Sequence, residues 1–371
     1  MSSFVQTHQD VLQRFTTMSV QTGSRSDYVQ GGGGNTSCKL NDTLMAIKAS
    51  GYCLGQITPD NAYAVLDYRA LRAFYENTDP LTLEDVEKSG SDCARESTVV
   101  IEGLSALRPS VEAGFHSVLD RYVLHSHAIY ANLICCTAEG AELADRVMEG
   151  LGESYAYVPY INPGAQLTFA ISDAREQSRV RFGSAARVIF MENHGLIVTA
   201  DDENECLRLH EAVNSSICRF MQVSFADWPV PQIAEVASQP SYLCSATPLL
   251  RSRLLQGGWD MDFFLAQALY PDQLVFLGGQ LSIVDDTDMS TYLNSGKEPE
   301  TKVTIFSQSG EILYTGARAA AQTIEETLYA LFFITDTIAR SGYTLKTMGD
   351  AGKHFIQNWE SEKYRKSVSD A

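Results

Sequence analysis

Positive charge is what this chain has least of: 28 Lys and Arg stand against 46 Asp and Glu in 371 residues, a formal net charge of −18. Such a surface does not on average attract nucleic acid or an anionic membrane, so neither is an expected partner, and any anionic small molecule must be held by local donors. No apolar stretch approaches the ~18 residues that a membrane helix needs, the run from Leu328 to Ile334 being one of the longer pieces. The first ten residues have neither a basic start nor an apolar core, so no signal peptide is expected. Eight cysteines, with Cys135 and Cys136 adjacent, are too sparse for the disulfide framework of a small secreted domain. Reduced thiols and a cytoplasmic location follow as expectations. There is no internal repeat and no low-complexity segment. After residue 240 no GxGxxG follows a strand to open a helix, and the glycine run at 31–34 lacks the lysine-serine end of a P-loop.

Histidine is scarce too, seven in all, yet three fall in patterned places. In an extended strand, positions i and i+2 point the same way about 7 Å apart, which aims His125 and His127 at one divalent ion. His194, in a tight Asn193-His194-Gly195 turn where an ordinary core prefers an apolar residue, would complete three neutral nitrogen ligands with a position left open. An HxH pair alone more often lines a polar face; it is the combination that argues for a metal, with zinc the first choice among divalent transition ions. Glu112 is the carboxylate expected beside that opening. His116, at i+4 from Glu112 on one helical face, is expected to hold that carboxylate or to be structural. The Gly31–Gly34 run allows backbone N–H groups to approach an anion, with Asn35, Ser50 and Ser110 as side-chain donors. Lys48 adds a cation, although an exposed strand lysine is nearly as good an account of it.

At this length two domains are more natural than one. The first twenty residues read as a helix. Short strands are expected at Tyr28-Val29, Thr36–Leu40, Thr43–Lys48, Tyr63–Leu66 and Tyr122–His127, with helices at Arg69–Glu76 and Ala138–Leu151. Asp202 caps a helix whose apolar set is Leu207, Val213, Ile217 and Phe220. The pattern breaks around Trp228-Pro229, which sets domains at 1–228 and 229–371. In the second, strands are expected at Gln273–Leu277 and Leu281–Val284, a hairpin from Val303–Phe306 to Ile312–Tyr314, and helices at Ala319–Arg340 and Gly352–Arg365.

Across roughly the first 225 positions these motifs, in order, resemble the class II aldolase/adducin family. The segments that carry the likeness are Gly31–Ser37 with Gly34 and Asn35, Lys48-Ala49-Ser50-Gly51, Pro109-Ser110-Val111-Glu112, the His125/His127 strand, Val158–Gly164 and Asn193-His194-Gly195. The glycine-rich form and the long C-terminal part look most like the aldolase portion of the bifunctional rhamnulose-phosphate aldolase/dehydrogenase proteins, without their dehydrogenase module. The resemblance implies an α/β fold, a class II aldolase-like α/β/α sandwich, followed by a smaller C-terminal α+β domain. It implies a metal-dependent lyase acting on a sugar or sugar phosphate by reversible retro-aldol cleavage through a metal-bound enediolate. The ligands would be His125, His127 and His194, with Glu112 occupying or bordering the fourth position and moving a proton once substrate displaces it. Gly34, Asn35, Lys48, Ser50, Gly51 and Ser110 would hold substrate. It also implies a homo-oligomer, a tetramer in the family's aldolases, with sites completed by neighbours. The fuculose-phosphate branch takes a tyrosine donor from a neighbouring subunit. Here 136–154 contains no tyrosine, and Tyr155, Tyr157 and Tyr160 are the candidates to replace it. The same scaffold serves epimerases, a dehydratase and decarboxylases, and a non-enzymatic adducin-like module is the competing class.

Overall fold

The structure is a computed structural model that describes residues 3–358. The chain falls into two compact units, one ending at Phe220 and the other starting at Met221. The change comes at the end of helix Glu203–Met221, just before the Trp228-Pro229 segment.

The first unit is built on a seven-stranded sheet. Its strands are β1 (Asn35–Lys39), β2 (Leu44–Lys48), β3 (Tyr63–Asp67), β4 (Tyr122–Ser126), β5 (Tyr155–Val158), β6 (Val188–Met191) and β7 (Gly195–Ala200), in the order β3-β2-β1-β4-β7-β6-β5. Only β5 and β6 pair in parallel; the other neighbours are antiparallel. Every residue of β1, β4, β6 and β7 is buried, so both faces of the sheet centre are covered. Alternation along β4 sorts the two sides. Val123 packs with Phe115, Leu167, Ile171, Ile189 and Ile197 beneath helices Ala113–Val118 and Ala165–Phe182. On the opposite side Ser126 Oγ meets His210 Nε2 of helix Glu203–Met221 at 2.7 Å, and Thr36 Oγ1 meets Ser19 Oγ of helix Gln9–Gly23 at 2.7 Å. The result is an α/β sandwich around one sheet.

Local chemistry sets the helix ends. Asp202 Oδ1 accepts from the backbone N–H of Asn204 and Glu205, the cap expected from the sequence. Helix Ala165–Phe182 is started from a distance: both oxygens of Glu87 accept from its first N–H groups, Ala165 N at 2.8 Å and Gln166 N at 3.0 Å. Gly164, at φ 140°, precedes it because a Cβ there would lie 2.0 Å from Glu87 Oε2.

The second unit holds strands β8 (Ile233–Glu235), β9 (Leu243–Ser245), β10 (Leu281–Val284), β11 (Val303–Phe306) and β12 (Glu311–Tyr314), in the order β10-β11-β12-β9-β8. The β11–β12 hairpin turns at Gly310, whose φ of 63° suits glycine. Helix Arg318–Arg340 carries the buried Glu325, which accepts from Thr247 Oγ1 and, at 2.7 Å, from Tyr314 O–H.

Three expectations change. Residues 273–277 lie in helix Pro271–Leu277, not a strand: a short apolar run fits either periodicity, and Pro271 at the first helical turn decides for helix. Tyr28-Val29 is a turn, with both N–H groups bonded to Arg25 O, rather than a strand. The last helix runs Gly349–Asn358, and the expected stretch beyond it lies outside the described residues.

Candidate metal centre

Two glycines bring distant chain segments against the HxH strand. Gly195 opens β7 where a Cβ would lie 2.3 Å from Ser126 O, and Gly34 precedes β1 where a Cβ would lie 2.6 Å from His125 O. Gly34 has φ 62°, a second reason for glycine. The loop at 192–194 turns through Asn193 at φ 49°, a left-handed conformation that Asn tolerates, and Asn193 N donates to Cys135 O at 2.9 Å. That geometry delivers His194 to the strand end.

The three imidazoles are brought together and buried. Their ligating nitrogens lie within 4.8 Å of one another, and ring centroids are 4.9, 5.0 and 5.2 Å apart. His125 Nε2 faces His127 Nε2 at 3.1 Å. His125 Nδ1 is 3.1 Å from Leu196 O, an acceptor only, so Nδ1 carries the hydrogen and Nε2 presents a lone pair. Two nitrogens each about 2.0 Å from a tetrahedral zinc sit about 3.3 Å apart, so the spacing suits one ion. Glu112 supplies the charge. Its Oε1 is 3.2 Å from His194 Nε2, its Oε2 3.6 Å from His125 Nε2, and Oε1 is buried with no hydrogen-bond partner. Burial opposes charge on both sides of this contact. It lowers His125 well below its usual value against the pull of Glu112. On Glu112 it is outweighed by His125, His194 and His127, which hold the carboxyl well below its usual range. A buried carboxylate facing the His125 lone pair and the His194 imidazole, with one oxygen that finds no hydrogen-bond partner, fits a divalent cation.

Asn35 lies opposite His125 in the β1–β4 register, so the two side chains share a face. Its Nδ2 donates to Glu112 Oε2 and, at 3.1 Å, to Ser110 Oγ, which also accepts from Glu112 N at 3.3 Å. Asn35 was expected among the substrate donors, yet in this structure both amide hydrogens are spent on the protein. His116 differs likewise from the expectation that it holds Glu112. Its Nε2 bonds Asn35 Oδ1 and its Nδ1 is 2.7 Å from Ser37 Oγ. Burial pushes its pKa down to about 3. The alternation of Asn35 and Ser37 along β1 was the sequence signal for this link.

Of the other expected residues, Lys48 is buried, its Nζ donating to Tyr52 O at 2.7 Å and Gly32 O at 3.3 Å. Ser50 N donates to Arg108 O at 2.9 Å, and Gly51 takes φ 87°, so this loop lies beside the segment leading to Ser110. The three tyrosine hydroxyls bond within the chain: Tyr155 to Asp145 Oδ1 at 2.5 Å, Tyr157 to Glu192 Oε2 at 3.4 Å and Tyr160 to Asn162 Oδ1 at 3.2 Å.

The family described as class II aldolase and adducin N-terminal domain matches residues 19–219. Among solved structures, the N-terminal class II aldolase domain of a conserved protein from Thermoplasma acidophilum is similar at 24% identity, covering 56% of this chain and 92% of its own, with a TM-score of 0.46. An L-fuculose 1-phosphate aldolase is 19% identical over 62% of this chain and 91% of its own, at 0.39. YgbL of Klebsiella pneumoniae, a putative aldolase/epimerase/decarboxylase, is 18% identical over 58% and 90%, at 0.41. No curated protein matches the chain.

Proposed function

The chain belongs to the class II aldolase and adducin N-terminal domain family, and from that premise we propose that residues 1–228 form a metal-dependent sugar or sugar-phosphate aldolase, with 229–371 an α+β extension. The observation that carries the reading is the buried group of His125, His127 and His194 with the Glu112 carboxylate against it. A non-enzymatic interaction module has no use for three buried imidazoles facing an acid. A divalent cation held by the three histidines, zinc first among the candidates, supplies Lewis acidity toward a carbonyl oxygen when bound.

The residues divide the remaining work. Retro-aldol cleavage takes a proton from the hydroxyl beyond the breaking bond, sends the bond's electron pair toward the carbonyl, and returns a proton to the resulting enediol carbon. Glu112 Oε1, the oxygen with no hydrogen-bond partner, is the atom that moves a proton, while Asn35 Nδ2 holds the other carboxylate oxygen and Ser110 Oγ accepts from Asn35 Nδ2 and from Glu112 N. The burial of the site keeps bulk water from that proton. Gly34, Ser50, Gly51 and Lys48 form the wall that meets the substrate's hydroxyls or anionic end. The expected assembly is a tetramer in the cytoplasm.

Two measurements on purified protein test the reading. Elemental analysis without chelator is expected to find about one equivalent of a divalent transition metal per chain, and ketose phosphates and ketoses are expected to release dihydroxyacetone phosphate or a small aldehyde. His125→Ala should lose both the metal and the release. Less than about half an equivalent of any transition metal, or full metal content in His125→Ala, overturns the ligand assignment. An epimer, an alkene or carbon dioxide as the product moves the reaction to another chemistry of this scaffold.

A further inference from the structure

Behind Glu112 lies a chain of three buried polar side chains: Ser37, His116 and Asn35, exposed by 0%, 0% and 3%. Glu112 accepts from Asn35 Nδ2; Asn35 Oδ1 bonds His116 Nε2; His116 Nδ1 bonds Ser37 Oγ at 2.7 Å. Donor and acceptor rules give this chain one direction. A carboxylate accepts only, so the Asn35 nitrogen faces it and the amide oxygen faces away. That oxygen cannot donate, so His116 Nε2 carries a hydrogen. A neutral imidazole then has its lone pair on Nδ1, which accepts from the Ser37 hydroxyl. Among the described residues no carboxylate touches His116, and a fully buried imidazole without one stays neutral.

An asparagine amide is nearly symmetric in shape, and nothing in its volume prevents the opposite orientation. Flipped, Asn35 would set its oxygen against Glu112 Oε2 and its N–H₂ against the His116 N–H. We propose that His116 is a positioning residue: its Nε2 tautomer fixes the polarity of the Asn35 amide, so that Asn35 donates to Glu112 and aims Oε1 into the metal site. The consequence for turnover rests on the reading of Glu112 as the proton-transfer group; the tautomer and the amide orientation do not. Sequence spacing places His116 on the Glu112 face of its helix, and the sheet register adds the link through Asn35, since Asn35 and Ser37 share a face of β1.

The test has two arms on the full chain. Long-range ¹H–¹⁵N imidazole spectra of ¹⁵N-histidine protein, with His116→Gln to assign the signal, are expected to show His116 as the neutral Nε2–H tautomer. The Nδ1–H form, or an imidazolium, overturns the proposal whatever the enzyme's reaction. The second arm compares two variants. Glutamine places its amide nitrogen where Nε2 stood, and asparagine reaches only to the place of Nδ1. His116→Gln should therefore retain metal and keep kcat within about threefold. His116→Asn should retain metal and a similar melting temperature but lose roughly 10- to 100-fold in kcat with little change in KM, the size expected from one hydrogen bond to a charged group. Equal kcat in the two variants at equal metal content overturns the positioning role. Absence of carbon–carbon cleavage in the wild type together with the Nε2–H tautomer would sink the proposed reaction and leave the amide assignment standing.

Discussion

Glu112 combines two properties that seldom coexist in a buried side chain: a carboxylate with buried imidazoles against it, and an oxygen with no hydrogen-bond partner. Burial without satisfaction costs free energy, so a position like this is expected where charge is needed for chemistry. Glu112→Gln keeps the shape and the Asn35 contact but cannot shuttle a proton. The expected outcome is retained metal with kcat reduced at least ~100-fold, the usual contribution of a general acid–base group. Steady-state kinetics on protein with measured metal content checks it, and an unchanged kcat would remove Glu112 from the mechanism. The residue scale also corrects the view of Asn35. Its sequence position in a glycine-rich segment suggests a substrate donor; its hydrogen bonds make it the fixed link between His116 and Glu112.

Between elements, the site depends on close backbone approach. β7 can lie against the end of β4 only because Gly195 has no side chain, and this approach puts the His194 loop beside His127. Gly195→Ala would drive a Cβ into Ser126 O, backbone that cannot rotate away. A loss of about 1–3 kcal/mol, typical of overpacking, is expected together with weaker metal retention. Denaturant titration and metal analysis after dialysis report the two effects, and wild-type values in both would show that the turn does not need glycine. A second device couples helices Val86–Glu96 and Ala165–Phe182, where Glu87 caps the start of the longer one. Replacing it in Glu87→Ala leaves those N–H groups without an acceptor at a half-buried helix start, and about 0.5–2 kcal/mol of stability should be lost. Thermal unfolding of the variant checks this, with no change in melting temperature counting against the cap.

At the scale of the molecule, the first tyrosine after the HxH strand, Tyr130, donates its hydroxyl to Asp27 Oδ2 at 2.9 Å, and the next three, Tyr155, Tyr157 and Tyr160, bond to Asp145, Glu192 and Asn162. A leaving-group acid from a second copy is therefore the expectation, and closed symmetry is the common form of homo-oligomers. Sedimentation should show an assembly larger than the 40.8 kDa chain, with a tetramer the expected size. A fully active monomer would rule out a shared site. No helix among the described residues is long and apolar enough to cross a membrane.

What was legible in the sequence was whatever a short stretch can encode alone. The i, i+2 histidines, the Asp202 cap, the β11–β12 hairpin and the helix near 318–340 all follow from side-chain periodicity and turn chemistry acting over a few residues. Residues 271–277 were ambiguous at that range, because seven apolar and polar positions satisfy helix and strand equally until Pro271 starts a helix. Tertiary structure alone decided the partners. That His116 turns to Asn35 and Ser37 instead of Glu112, that Gly34 and Gly195 matter because backbone passes within 3 Å of their missing Cβ, and that Glu87 caps a helix 78 residues away are facts of the β1–β4 register and of helix docking. Hydrogen bonds and close contacts depend on distance in space, and only the packed sheet converts separation along the chain into distance.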